Sequence, residues 1–159
     1  MDIKIRVATP EDADAVARIA SECWTDIYNG FKEQMGEDIY RDVYPTDPIF
    51  EKGERMRSVV LEGRVFVAES NGEICGFSSY YFENPTLGSL KDNAVSAKYK
   101  GHGIAAMLYE AVFEKLRSLG CKTVRVGTGL DEAHAPARRA YEKAGFVTRV
   151  ESVSYYKKL

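Results

Sequence analysis

The stretch Lys98–Leu108, KYKGHGIAAML, decides how the rest of the chain is read. Two glycines, Gly101 and Gly103, stand one residue apart, immediately before an apolar pattern at helical spacing. A helix N-terminus offers unpaired backbone N–H groups and the positive end of the helix dipole, so it favours an anion. Lys98 and Lys100 add positive charge. Gly101, Gly103 and the pair Ala105-Ala106 keep side chains out of the way, which lets an anion touch the backbone. The plain alternative is a tight turn with no ligand.

The spacing Gly101-x-Gly103-x-x-Ala106 matches a dinucleotide fingerprint, but its context does not. That motif belongs in a first βαβ unit, with an acidic residue about 20 residues further on. Here the glycines follow most of the strands, and the next strand ends without an acid. A Walker loop is excluded because no Gly-Lys-Ser/Thr follows.

Working outward, the helix after the glycines runs from about Gly103 to Leu119. Its apolar stripe is Ile104, Met107, Leu108, Ala111, Val112, Leu116 and Leu119, and Gly120 stops it. Upstream, Leu87–Val95 is a strand that is polar in its middle. Before it, 64–70 and 73–82 read as two strands joined by Asn71-Gly72, a strong two-residue hairpin signal. Residues 31–62 hold one or two helices interrupted around Pro45 and Pro48. The chain opens with an alternating strand, Ile3, Ile5 and Val7, and a helix introduced by Thr9, Pro10 and Asp12. That helix buries Ala13, Val16, Ala17, Ala20 and Trp24 and fades near Asn29-Gly30. Downstream come a strand over 122–128, a short helix from Pro136 to Gly145, and two closing strands over 146–150 and 152–158. With hairpins and helix-flanked strands together, an α/β domain with a mixed sheet is expected over 1–159.

Bulk composition narrows the class. The 159 residues are 45% hydrophobic and carry a net charge of −2, which argues against a nucleic-acid binder. Cys23, Cys75 and Cys121 are odd in number and widely spaced, so neither a disulfide framework nor a metal site is expected. The opening MDIKIRV has no signal-peptide apolar block, and no run approaches the roughly 18 apolar residues of a membrane span. A soluble cytoplasmic protein that binds neither membrane nor nucleic acid is the expectation.

The stretch Lys100-Gly101-His102-Gly103-Ile104-Ala105 resembles the signature Gln/Arg-x-x-Gly-x-Gly/Ala of the GNAT (GCN5-related) N-acetyltransferases, with Lys100 keeping the positive charge. The preceding NAVSAKYKG is similar to the family's V-x-P-x-x-R-G lead-in, with Val95 in register and Ala97 in place of Pro. Further on, His134–Phe146, HAPARRAYEKAGF, resembles Asn-x-x-Ala-x-x-x-Tyr-Glu-x-x-Gly-Phe, with His134 in place of Asn. The resemblance spans nearly the whole chain. It implies a GNAT-like, mostly antiparallel twisted sheet of about seven strands flanked by about four helices. It implies acetyl-CoA as co-substrate, with no metal and with its pyrophosphate on the amides of Gly101, His102, Gly103, Ile104, Ala105 and Ala106. Val95, Ala97, Lys100 and His134 complete the implied cofactor contacts.

The same resemblance implies that a backbone N–H near Val95, at a family bulge, polarises the thioester, and that Tyr141 protonates the departing thiolate. From spacing alone Tyr141 is a core aromatic on the face of Ala137 and Ala144. A base for the amine is not evident; Glu83 and Asp92 are candidates. Trp24, Tyr28 and Tyr80 are candidate walls for the acceptor, a small-molecule or peptide amine. Pairing of two copies through late strands is a family analogy. The expected activity is acetyl transfer from acetyl-CoA to a primary amine by direct attack in a ternary complex. The alternative is a non-catalytic acyl-CoA-binding sensor or interaction module, and a nicotinamide enzyme is a third reading that the topology disfavours.

Overall fold

The computed structural model describes residues 2–159, so Met1 of the opening stretch lies outside the described residues. Five strands form one sheet in chain order: β1 (Lys4–Val7), β2 (Val65–Ser70), β3 (Glu73–Asn84), β4 (Leu87–Val95) and β5 (Thr123–Arg125). The first four pair antiparallel, and β5 joins β4 in parallel. The β2–β3 turn has Asn71 at φ 51° and Gly72 at φ 79°. Both values lie in the left-handed region that an Asn-Gly hairpin turn demands.

Five α-helices cover the sheet: α1 (Ala13–Met35), α2 (Glu37–Val43), α3 (Pro48–Leu61), α4 (Ile104–Ser118) and α5 (Ala135–Lys143). Residues 31–62 thus resolve into the end of α1 and two helices. Helix α1 does not fade at Gly30. A glycine there costs only about 1 kcal/mol, and Trp24, Ile27 and Phe31 continue the inward stripe past it at helical spacing. At its start, Asp12 accepts from the Thr9 N–H at 2.8 Å, and Arg6 of β1 grips the same carboxylate at 2.6 and 2.9 Å.

Alternation along β2 divides the core between the two faces. Val65 and Val67 pack with Val16, Ile19, Met56, Val60 and Phe77 under α1 and α3. Phe66 and Ala68 face α4, which supplies Ile104, Leu108, Tyr109, Val112 and Leu116. Met107 and Leu119, expected in the α4 stripe, are exposed instead, and Tyr109 is buried.

The sheet has five strands rather than about seven. Residues 146–150 and 152–158 form no strand pairing among the described residues, and Val147, Val150 and Val153 are exposed. Valines three apart fall on alternate sides of an extended chain, so they cannot bury together as one strand face. The strand expected over 122–128 is also shorter, because β4 offers it a partner only at Leu87–Ser89. Beyond that point the β3–β4 register shifts: Ser78 faces Asn93 while Tyr80 faces Leu90, so one extra residue bulges from β4 around Lys91-Asp92. Ser79 Oγ stitches the bulge, meeting the Asp92 N–H at 3.0 Å and the Asp92 carbonyl at 3.2 Å. The irregularity therefore precedes Val95, which stays in register with Gly76.

Candidate active site

A cleft of about 520 Å³ opens where β4 and β5 part. Lys91–Val95 wall one side, Gly127 and Thr128 the other. Cys23, Trp24 and Ile27 of α1 close one end, and Lys100 and Ala105 mark the glycine turn. His134, Ala137, Ala140 and Tyr141 come from the turn before α5 and from α5 itself.

At the turn, Gly101 and Gly103 have φ of 82° and 76°, where a side chain would be strained. A Cβ at either position would meet nothing within 4 Å, so open space lies in front of the backbone. Gly103 caps α4 without any side-chain hydrogen bond. The N–H groups of Ile104, Ala105 and Ala106 precede the first intrahelical bond, from Met107 N to Gly103 O. Lys100 forms no ion pair among the described residues, whereas Lys98 is engaged by Glu73 at 2.6 Å. The His102 ring folds back on the carbonyls of Tyr99 and Lys100, leaving its backbone amide at the turn. This donor set suits a diphosphate: side-chain-free amides, a helix N-terminus and one free lysine.

Of the other residues expected at the cofactor, Val95 and His134 line the cleft. Ile104 is a core residue whose side chain packs with Ala68 and Cys75. Ala97 and Ala106 are exposed outside the cleft lining. Among the aromatics, Trp24 lines the cleft. Tyr28 packs against Phe31 and Tyr44 outside it, and Tyr80 is core, tilted against Phe66.

Tyr141 is both buried and chemically addressed. Its ring packs on Tyr109 and Phe146, and its hydroxyl accepts a hydrogen bond from Asn93 Nδ2 at 2.9 Å. The other Asn93 N–H goes to the Lys91 carbonyl at 3.1 Å, and Tyr109 donates to Asn93 Oδ1 at 2.8 Å. Burial pushes the Tyr141 phenol above the usual tyrosine range, with the Asn93 N–H pulling it back in part. Asn93 and Tyr109 were not singled out from the sequence. The only signal was a polar run, Lys91-Asp92-Asn93, inside a strand.

Both acids considered as bases are occupied. Asp92 is held by Lys52 and Arg55, and Lys52 Nζ also lies 3.8 Å over the Trp24 ring. Ser89, Arg125 and Lys91 surround Glu83, and the Ser89 hydroxyl above all keeps its carboxyl below the ordinary value. A pair missed in the sequence lies at the other end of the cleft: His134 Nδ1 sits 2.7 Å from Asp131 Oδ2.

The sequence profile of the acetyltransferase (GNAT) family matches residues 16–146. No curated protein matches the chain. Among solved structures, PaiA N-acetyltransferase from Thermoplasma acidophilum, in complex with coenzyme A, has a TM-score of 0.73 at 19% identity, over 97% of this chain and 94% of that one. Ard1 from Thermoplasma volcanium has 0.66 at 21%, over 94% and 86%. The ribosomal-protein-alanine N-acetyltransferase of Brucella melitensis biovar Abortus 2308 has 0.64 at 15%, over 99% and 100%. At these identities the likeness is one of fold.

Proposed function

Because the chain belongs to the acetyltransferase (GNAT) family, we propose that it moves the acetyl group of acetyl-CoA to a primary amine by direct attack in a ternary complex. One observation carries this reading. The bare amides at the start of α4 and the addressed hydroxyl of Tyr141 flank a single cleft.

Each of the chain's residues then has a task. The amides of Gly101–Ala106, with Lys100, hold the diphosphate of coenzyme A. Binding both reactants in the gap between β4 and β5 makes the attack effectively unimolecular, which supplies several kcal/mol. The C–S bond breaks as the C–N bond forms, and the leaving sulfur needs a proton. Tyr141 gives it. Its oxygen already receives the Asn93 N–H, so its own proton is free to point at the sulfur. Trp24 and Ile27 of α1 form the wall on the acceptor side.

The test is isothermal titration with acetyl-CoA, with NAD as control, followed by thiol release over a panel of amines. Micromolar acetyl-CoA binding, no NAD signal and amine-dependent thiol release are expected. Binding with no turnover on any amine would support the non-catalytic alternative. Absence of acetyl-CoA binding would overturn the reading.

A further inference from the structure

We propose that His134, held by Asp131, is the general base that takes a proton from the acceptor's ammonium group. The proposal rests on the acetyl-transfer reading above and fills the one role it leaves open. An α-amino group has a pKa of about 8 and a lysine-like amine about 10.4, so either arrives mostly protonated at neutral pH and cannot attack.

The titratable side chains that line the cleft are Cys23, Lys91, Asp92, Lys100, Tyr109, His134 and Tyr141. Lys91 and Lys100 are cations. Asp92 is held by Lys52 and Arg55. The Cys23 thiol donates to the Val95 carbonyl at 3.7 Å, and burial raises its pKa. Burial likewise raises both phenols. His134 is left, and imidazole is the side chain whose unperturbed pKa lies near neutrality.

Its surroundings prepare it. Asp131 Oδ2 lies 2.7 Å from Nδ1. Burial raises the Asp131 carboxyl, but the hydrogen bonds it accepts from the His134 ring and from backbone N–H groups outweigh this and hold it below the ordinary carboxylate range. A carboxylate only accepts, so Nδ1 carries the hydrogen and Nε2 the lone pair. Arg138 Nη1 pins the turn by donating to the carbonyls of Gly129 at 2.7 Å and Asp131 at 2.8 Å. Gly129 lies so close to the pair that a Cβ there would strike both side chains. Phe31 of α1 stacks on the imidazole at 6.0 Å, and the ring is 14% exposed. The charged and titratable groups around it are Asp131, Arg138 and Tyr141 on its own side, with Lys91, Asp92, Lys100, Tyr109 and Cys23 on the other walls of the cleft. Helix α1 presents the apolar Phe31 ring.

The protons balance. Nε2 takes one proton from R–NH3+ and passes it to solvent. The neutral amine forms the C–N bond. The second nitrogen proton leaves as the C–S bond breaks, and through Tyr141 one proton ends on sulfur. The net products are the amide, the free thiol and one proton.

The experiment is the pH profile of kcat/KM by thiol release, with two amines, one of pKa near 8 and one near 10.4. The wild type should show one acid limb at the same pH with both amines, although their own pKa values differ. His134→Gln should lose that limb and fall about 100-fold in kcat/KM, with acetyl-CoA affinity by titration unchanged. Asp131→Asn, the positioning variant, should move the limb to lower pH. A wild-type limb that tracks the amine's own pKa overturns the proposal. So does a limb that survives His134→Gln, or a His134→Gln loss confined to acetyl-CoA affinity. Those outcomes leave the acetyl-transfer reading standing. A wild type that binds no acetyl-CoA ends both.

Discussion

Asn93 holds its amide 2.9 Å from the Tyr141 hydroxyl with an N–H directed at the oxygen. The direction is forced. The same NH2 group also reaches the Lys91 carbonyl, which can only accept, so the amide cannot be reversed. Tyr109 then donates to the amide oxygen. Two of the three groups in this chain give their hydrogens inward, and the phenol of Tyr141 alone keeps a hydrogen to give to the cleft.

Tyr141→Phe should therefore lower kcat about 100-fold while leaving acetyl-CoA affinity within about twofold. Thiol-release kinetics and titration on the same samples decide it; unchanged turnover would remove Tyr141 from the mechanism. The phenol must be protonated to act, and burial raises its pKa. Loss of kcat on the alkaline side should therefore begin only above the ordinary tyrosine value of about 10.

Asn93 gives a sharper contrast. Asn93→Ala removes the donor and lets the phenol rotate, and kcat should fall about tenfold. Asn93→Asp places an acceptor against the hydroxyl. The phenol would then turn its hydrogen inward, so this near-isostere should be the more damaging of the two. Tyr109→Phe leaves the amide anchored on Lys91 and should cost less than about threefold. An order of effects with Ala worse than Asp would show that Asn93 only fills space.

At the glycine turn, folding and binding separate. Gly103→Val meets no steric obstacle but forces a β-branched residue to φ 76°, at a cost of about 1–2 kcal/mol in stability. Acetyl-CoA affinity should drop by about tenfold or more, since the new side chain stands in front of the amides. Lys100→Ala should weaken binding about threefold at low salt and less at high salt. Equal losses for acetyl-CoA and for dephosphorylated pantetheine thioesters would rule the diphosphate contact out.

What the sequence disclosed, and what it hid, follows from range. Gly101, Gly103, Asn71-Gly72 and the helix stops at Gly120 and Gly145 are local backbone demands, and each appears where expected, whereas the stop expected at Asn29-Gly30 does not. A motif marked Tyr141 as a candidate, and the structure puts it in the cleft lining. Asn93 was not marked, because its partners lie 16 and 48 residues away on two helices, and a polar residue in a strand carries no address. Tyr109 was masked by its neighbours, since Met107 and Leu108 fit the apolar stripe as well as Leu108 and Tyr109 do. The C-terminal valines misled for the opposite reason: β-branched residues favour strands, but only a partner edge makes them one. The edge available, on β5, is three residues long.

Lys52 supplies a last prediction, on stability. Its ammonium is almost wholly buried between Trp24 and Asp92. Burial lowers its pKa, and Asp92 restores part of it. A lysine with a depressed folded pKa contributes stability only above the ordinary value of 10.5 and loses it as pH falls through the depressed one. At neutral pH the buried charge is thus a burden that Asp92 relieves. Asp92→Ala should cost about 3–5 kcal/mol at pH 7, because it strands Lys52. Lys52→Met, which keeps the Arg55–Asp92 pair, should change stability by less than about 1.5 kcal/mol. Raising the pH from 7 to 10 should recover part of the Asp92→Ala loss and none of any Lys52→Met loss. Urea unfolding midpoints at both pH values, with unchanged slopes, provide the reading. An Asp92→Ala defect independent of pH would mean that Asp92 serves the β4 bulge and not the buried ammonium.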